Sequence, residues 1–157
     1  MSAISKALSV AKNKCACLAK QLTFAKASNP SSRNMSCVCP ALAAIPKVDI
    51  DPEGVFKYIL LRVHEKGKED DEVFVTIVRG YRRCNYHSDI YEEVQTKLEP
   101  LDCEPMGGGR ISHDPDHKKI HIYGYSQGYG KADHEITAKL VKEAYPGYYI
   151  TISDEGY

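Results

Sequence analysis

Apolar and polar positions alternate with a period of two along the segment IPKVDIDPEGVFKYILLRVH. Val55, Lys57, Ile59, Leu61 and Val63 fall on one face, and Phe56, Tyr58, Leu60, Arg62 and His64 on the other. Both faces are apolar near the middle, which predicts a strand covered on both sides. After the polar turn EKGKEDD, the run EVFVTIVRGY predicts a second strand, and so short a connection favours an antiparallel hairpin. SDIYEEVQTKL changes the period: with Ser88 as cap, Ile90, Tyr91, Val94 and Leu98 form one helical stripe. A glycine-rich turn at 107–109 then leads to RISH, and KKIHIYGYS reads as a strand with Ile120, Ile122 and Gly124 on one side. Asp133 caps a second helix whose apolar face is Ile136, Leu140, Val141 and Ala144, followed by the turn YPG and a last strand, YYITIS. Strands, helix, strands, helix and strand in that order predict an α/β (α+β) single domain, a mixed β-sheet with two main helices packed on it. No internal repeat is present.

Charge divides the chain in two. The formal net charge of the 157 residues is zero, yet residues 1–48 hold seven Lys or Arg and no Asp or Glu, which leaves 14 basic against 21 acidic residues in the remainder. The pattern predicts a folded domain over 45–157 and a basic extension over 1–44, either disordered or resembling an organelle transit peptide. A cytoplasmic location is expected, with mitochondrial import as the alternative that the extension raises. An acidic domain excludes nonspecific nucleic-acid binding, and no apolar run approaches the roughly 20 residues that span a bilayer. Four of the six cysteines lie in the extension as C-x-C pairs, Cys15 with Cys17 and Cys37 with Cys39. That is neither a secreted disulfide framework nor the wider spacing of a zinc site.

The segment CEPMGGGRISH carries the first candidate chemistry. A cysteine phosphatase loop, C-x5-R, wraps one turn of backbone N–H groups and an arginine around a phosphate. Here six residues separate Cys103 from Arg110, Pro105 removes an N–H, and Glu104 puts negative charge beside the thiol. Cys103 is therefore read as a spectator. Gly107–Gly109 with Arg110 still make sense as an anion-handling turn, the alternative being a plain turn or bulge. His87 stands at the end of a strand-to-helix loop over 79–87, where it is either a functional side chain or merely a structural one. His113, His117 and His121 recur every four residues, but Pro115 and the strand pattern that follows oppose a helical metal site.

In order, GVFKYILLRVH, VRGY, YHSDIY, GGGRISH, KKIHIYGYSQGYG and the terminal SDEGY resemble the phosphohistidine phosphatase family, closest to its janus and ocnus branch. The resemblance covers about residues 45–157. It implies hydrolysis of phosphohistidine in proteins by a monomer that needs neither metal nor other cofactor, acts on histidine-phosphorylated proteins, and engages no nucleic acid or membrane. The family's catalytic histidine falls on His87 and its substrate-binding lysine on Lys57. Its phosphate-binding arginine falls on Arg110, and its phosphate loop on Ser126, Gln127 and Gly128; Arg79 and His134 match positions placed near the site. The branch also implies a role in sex differentiation or testis function. Ser88 departs from the family's catalytic segment, where alanine stands. The alternative reading is a catalytically weak, phosphate-binding regulatory protein.

The chemistry is consistent with this residue set. The leaving group of phosphohistidine is an imidazole, with a pKa of about 6.5, which departs far more readily than an alkoxide. Positioning the phosphoryl group and deprotonating a water then suffice, and His87 is cast as the general base. His87 as a transiently phosphorylated nucleophile remains the rival.

Overall fold

A computed structural model describes residues 40–67 and 73–154. The C-x-C pairs, the transit-like reading of residues 1–39, the tip of the polar turn and the last three residues lie outside the described residues. The order is α1 (Pro40–Ala43), β1 (Val48–Ile50), β2 (Gly54–Glu65), β3 (Val75–Gly80), α2 (His87–Leu98), β4 (Leu101–Asp114), β5 (Lys119–Tyr123), α3 (His134–Ala144) and β6 (Tyr149–Ile152). The folded unit starts earlier than residue 45, because Leu42 of α1 is 1% exposed and packs into the core.

One six-stranded sheet runs β1-β3-β2-β4-β5-β6. It is mixed: β1 lies parallel to β3 and β5 parallel to β6, while β2 pairs antiparallel with both β3 and β4. The alternation read in β2 sorts the core into two layers. Ile59, Leu61 and Val63 pack with Ile77 of β3 and Ile90 and Val94 of α2, whereas Phe56, Tyr58 and Leu60 pack with Ile111, Ile120, Ile122 and Val141 of α3. A strand flanked by helices on both faces needs apolar side chains at every position, which is why the centre of β2 reads as a continuous hydrophobic run. No helix among the described residues is long and apolar enough to cross a membrane.

Three local expectations are corrected. Gly107–Gly109 form no turn; they lie inside the 14-residue strand β4, opposite Leu60, Ile59 and Tyr58. Ser88 does not cap α2. The helix begins at His87, and the Asp89 carboxylate accepts the N–H of Tyr86 at 2.9 Å, closing the first turn from inside. In α3 the buried positions are His134, Thr137 and Val141, while Ile136 is exposed. The expected cap of α3 is present, with the Asp133 carboxylate accepting from the N–H groups of Glu135 and Ile136.

Candidate active site

β2 and β4 are neighbours, and their register sets Lys57 directly opposite Arg110. Residues facing each other across an antiparallel pair share a face, with Cβ atoms about 5 Å apart. The pair places two positive charges side by side on that face. Lys57 and Arg110 line one cleft of about 500 Å³ together with Tyr86, His87 and Ser88 from the start of α2, and Ser126–Tyr129 from the segment after β5. The N-terminal end of α2 thus adds the positive end of its dipole to the two cations.

His87 is buried at the first position of α2. Its Nε2 lies 3.0 Å from the Gly109 carbonyl oxygen. A carbonyl can only accept, so Nε2 carries the proton and Nδ1 keeps its lone pair. Burial lowers the imidazole pKa below the ordinary 6.5; the Gly109 bond opposes this, and Lys57 and Arg110 add to it. The ring is therefore neutral at pH 7, with the Nδ1 lone pair unprotonated.

Gly108 makes that placement available. A Cβ there would stand 2.7 Å from His87 Cδ2 and 2.8 Å from the Tyr58 carbonyl oxygen. The central glycine is therefore clearance for the His87 imidazole, and the next residue, Gly109, supplies the carbonyl that fixes its tautomer.

The 126–130 segment is a closed loop. Ser126 and Gly130 exchange N–H···O bonds at 3.0 and 2.9 Å, and the buried Ser126 Oγ accepts the Tyr129 N–H at 3.2 Å. Gly108 ties it to β4, donating its N–H to the Gly130 carbonyl and accepting that of Ala132. The Ser126 N–H is thus engaged within the loop and does not face an anion, as a phosphate loop running through Ser126 would require. Gln127 and Gly128 line the cleft, and their N–H groups make no hydrogen bond to the backbone of the described residues.

Two of the residues placed near the site by the sequence lie elsewhere. Arg79 is 5% exposed, its guanidinium donating to the Val78 and Pro46 carbonyls, beside a separate cavity between α1 and α2. His134 lies in the opposite layer. Its Nε2–H donates to the Gly124 carbonyl, its Nδ1 accepts the Tyr58 hydroxyl at 2.7 Å, and burial lowers its pKa. Cys103 points into the α2 layer at 2% exposure, and burial pushes its thiol up to about 11. Among the described residues no group of three His, Cys, Asp or Glu could hold a metal ion.

A family model described as the Janus/Ocnus family matches residues 42–149. The chain belongs to this family. Similar relatives include two proteins named 14 kDa phosphohistidine phosphatase. The Sus scrofa protein is 50% identical over 120 residues, covering 74% of this chain and 95% of its own. The Homo sapiens protein is 48% identical over 120 residues, covering 74% and 96%. Sex-regulated protein janus-A of Drosophila pseudoobscura pseudoobscura is 50% identical over 119 residues, covering 74% of this chain and 80% of its own. Every cleft residue lies inside the segment that matches the Janus/Ocnus family.

Sequence reasoning missed Tyr86 and Tyr129 as cleft residues. Tyr86 is 69% exposed although aromatic, and its position next to His87 was the available signal. Tyr129 gave no signal, because it enters through a ring contact with Tyr91 of α2, 5.8 Å between centroids.

Proposed function

We propose that this Janus/Ocnus protein is a protein-histidine phosphatase that works without a metal, with His87 as general base. The observation that carries the reading is the cross-strand pair of cations, Lys57 and Arg110, held at one cleft with a neutral imidazole whose only proton is committed to Gly109. Two cations side by side at one cleft suit an anionic ligand, and the names of the relatives supply one of matching charge.

Lys57, Arg110, the Gln127 and Gly128 N–H groups and the Ser126 hydroxyl hydrogen bind the phosphoryl oxygens. His87 Nδ1 takes a proton from water as the water oxygen bonds to phosphorus and the P–N bond breaks. The electron pair of that bond stays on the departing imidazole nitrogen, to which His87 returns the proton. The same lone pair suits direct attack on phosphorus, which would put the phosphoryl group on Nδ1 and leave hydrolysis to a second step.

The test is phosphate release from a histidine-phosphorylated protein in EDTA, comparing wild type with His87→Ala and Cys103→Ser. Loss of turnover with His87→Ala alone is expected. Turnover by folded His87→Ala, or its loss from wild type in EDTA, refutes the assignment. Radiolabel trapped on His87 would replace the base by the nucleophile.

A further inference from the structure

A second, smaller hollow of about 160 Å³ opens beside the cleft and shares Lys57 and Arg110 with it; Arg82, Cys84 and Asn85 complete its polar wall. It contains three cations and no carboxylate, in a domain that is acidic overall. Arg82 follows β3, and its backbone N–H donates to the Asp51 carboxylate at 2.6 Å. Its guanidinium has no ion-pair partner among the described residues, unlike that of Arg83, which pairs with Glu93.

The Arg82 side chain passes over the start of β2. A Cβ built on Gly54 would stand 3.5 Å from Nη1 and 3.9 Å from Cδ and Cζ. Gly54 has φ +97, so its backbone favours glycine and leaves the strand end bare beneath the guanidinium. A guanidinium without an ion-pair partner among the described residues, joined to the proposed phosphoryl cleft through Lys57 and Arg110, suits a second negative charge beside the phosphoryl group.

We infer that this hollow is an acidic-residue subsite, which selects substrates carrying a Glu or Asp close in sequence to the phosphohistidine. The inference rests on the reading of the cleft as a phosphohistidine site. Spacing follows from the strand: Gly54 is three residues from Lys57, roughly 10 Å at about 3.3 Å per residue. An extended substrate crosses that distance in two or three residues, so the carboxylate belongs two or three positions from the phosphorylated histidine.

The experiment measures binding as well as turnover, so that the two readings fail separately. Peptides with a non-hydrolysable phosphohistidine analogue, and matched phosphohistidine peptides, would carry Glu or Gln two and three positions away, on either side. Wild type is expected to bind at least one Glu peptide about 3- to 5-fold more tightly than its Gln counterpart, the scale of an exposed ion pair. Arg82→Ala should abolish that preference and Arg82→Glu reverse it, with KM changing and kcat retained, and with turnover of free phosphoramidate unchanged. The salt dependence of the preference should vanish with Arg82. Equal affinity of wild type for Glu and Gln peptides at every position overturns the subsite, as does a preference that survives both Arg82 variants. Tight, Glu-selective binding without turnover would refute the catalytic assignment and retain the subsite.

Discussion

Replacing Gly108 by alanine adds one methyl group beside the imidazole on which the proposed chemistry depends. Backbone conformation does not forbid it, because Gly108 is not among the glycines with positive φ. The obstacle is contact. The new Cβ would stand 2.7 Å from His87 Cδ2, 3.1 Å from Nε2 and 2.8 Å from the Tyr58 carbonyl oxygen. Carbon atoms rest at about 3.5 Å or more, so the ring must retreat by about 0.8 Å. The Tyr58 carbonyl belongs to a central strand and cannot follow. Overpacking of this kind costs about 1–3 kcal/mol of stability. The larger effect is catalytic, because retreat stretches the 3.0 Å bond to Gly109, releases the tautomer and moves Nδ1. A displacement near 1 Å costs on the order of 100-fold in rate. Phosphate release and urea unfolding, measured on Gly108→Ala alone and combined with His87→Ala, provide the assay. Part of the stability cost should disappear in the double variant, where the ring is gone. Gly108→Ala turning over within about 3-fold of wild type at unchanged stability would refute the claim that the glycine is clearance for His87.

Other expectations follow from the same geometry. Burial holds His87 neutral with a folded-state pKa below 6.5; between the two values the unfolded chain binds the extra proton, so its share of stability is complete above about pH 6.5 and is lost as acid approaches the folded pKa. Urea unfolding from pH 8 to 5 should show this fall and His87→Asn should reduce it, while the acid limb of kcat/KM should lie below 6.5; a limb above 7 would contradict the assignment. Lys57→Met removes one of the two cleft cations, so KM should rise at least tenfold while the urea midpoint stays close to that of wild type. Cys103→Ser should retain full turnover yet lose about 1–3 kcal/mol, because a hydroxyl replaces a buried thiol in the α2 layer; a fall in kcat without a fall in stability would restore the cysteine to the chemistry.

Much of this fold was legible because its central elements have strong periods. The two-residue alternation of β2 placed each of its core side chains in the correct layer, and the stripe of α2 correctly gave Ile90 and Val94. The glycines were misread because a strand made of glycine has no side chains to alternate. Each is a glycine for a distant neighbour: Gly107 faces the Lys131 and Ala132 backbone, Gly109 the Tyr123 carbonyl, and Gly108 the ring of His87, 21 residues away in the chain. Ser88 was misplaced by a rule that prefers a hydroxyl at the cap, where Asp89 closes the turn from within instead. Arg79 and His134 were near the site in sequence terms, but local pattern does not say which cavity a buried side chain meets.

Register is the quantity the sequence withheld, and it decides the site. Leu60 pairs with Gly107 and Leu61 with Pro105, so Met106 is an extra residue that bulges from β4. Were Met106 paired with Leu61 and no bulge formed, the first half of β4 would slip by one residue, setting Glu104, in place of Cys103, opposite Val63 and turning a carboxylate into the α2 core. With the bulge, the half that carries Gly108, Gly109 and Arg110 keeps its own register against Tyr58, Ile59 and Lys57. The cations are therefore fixed by ladder hydrogen bonds on two central strands rather than by mobile loops. Both stand on a sheet that is covered on both faces, so their positive charge is presented from a fixed frame. A phosphoryl group bound there meets a field already in place, which suits a substrate whose imidazole leaves readily and asks of the protein chiefly position and one neutral base.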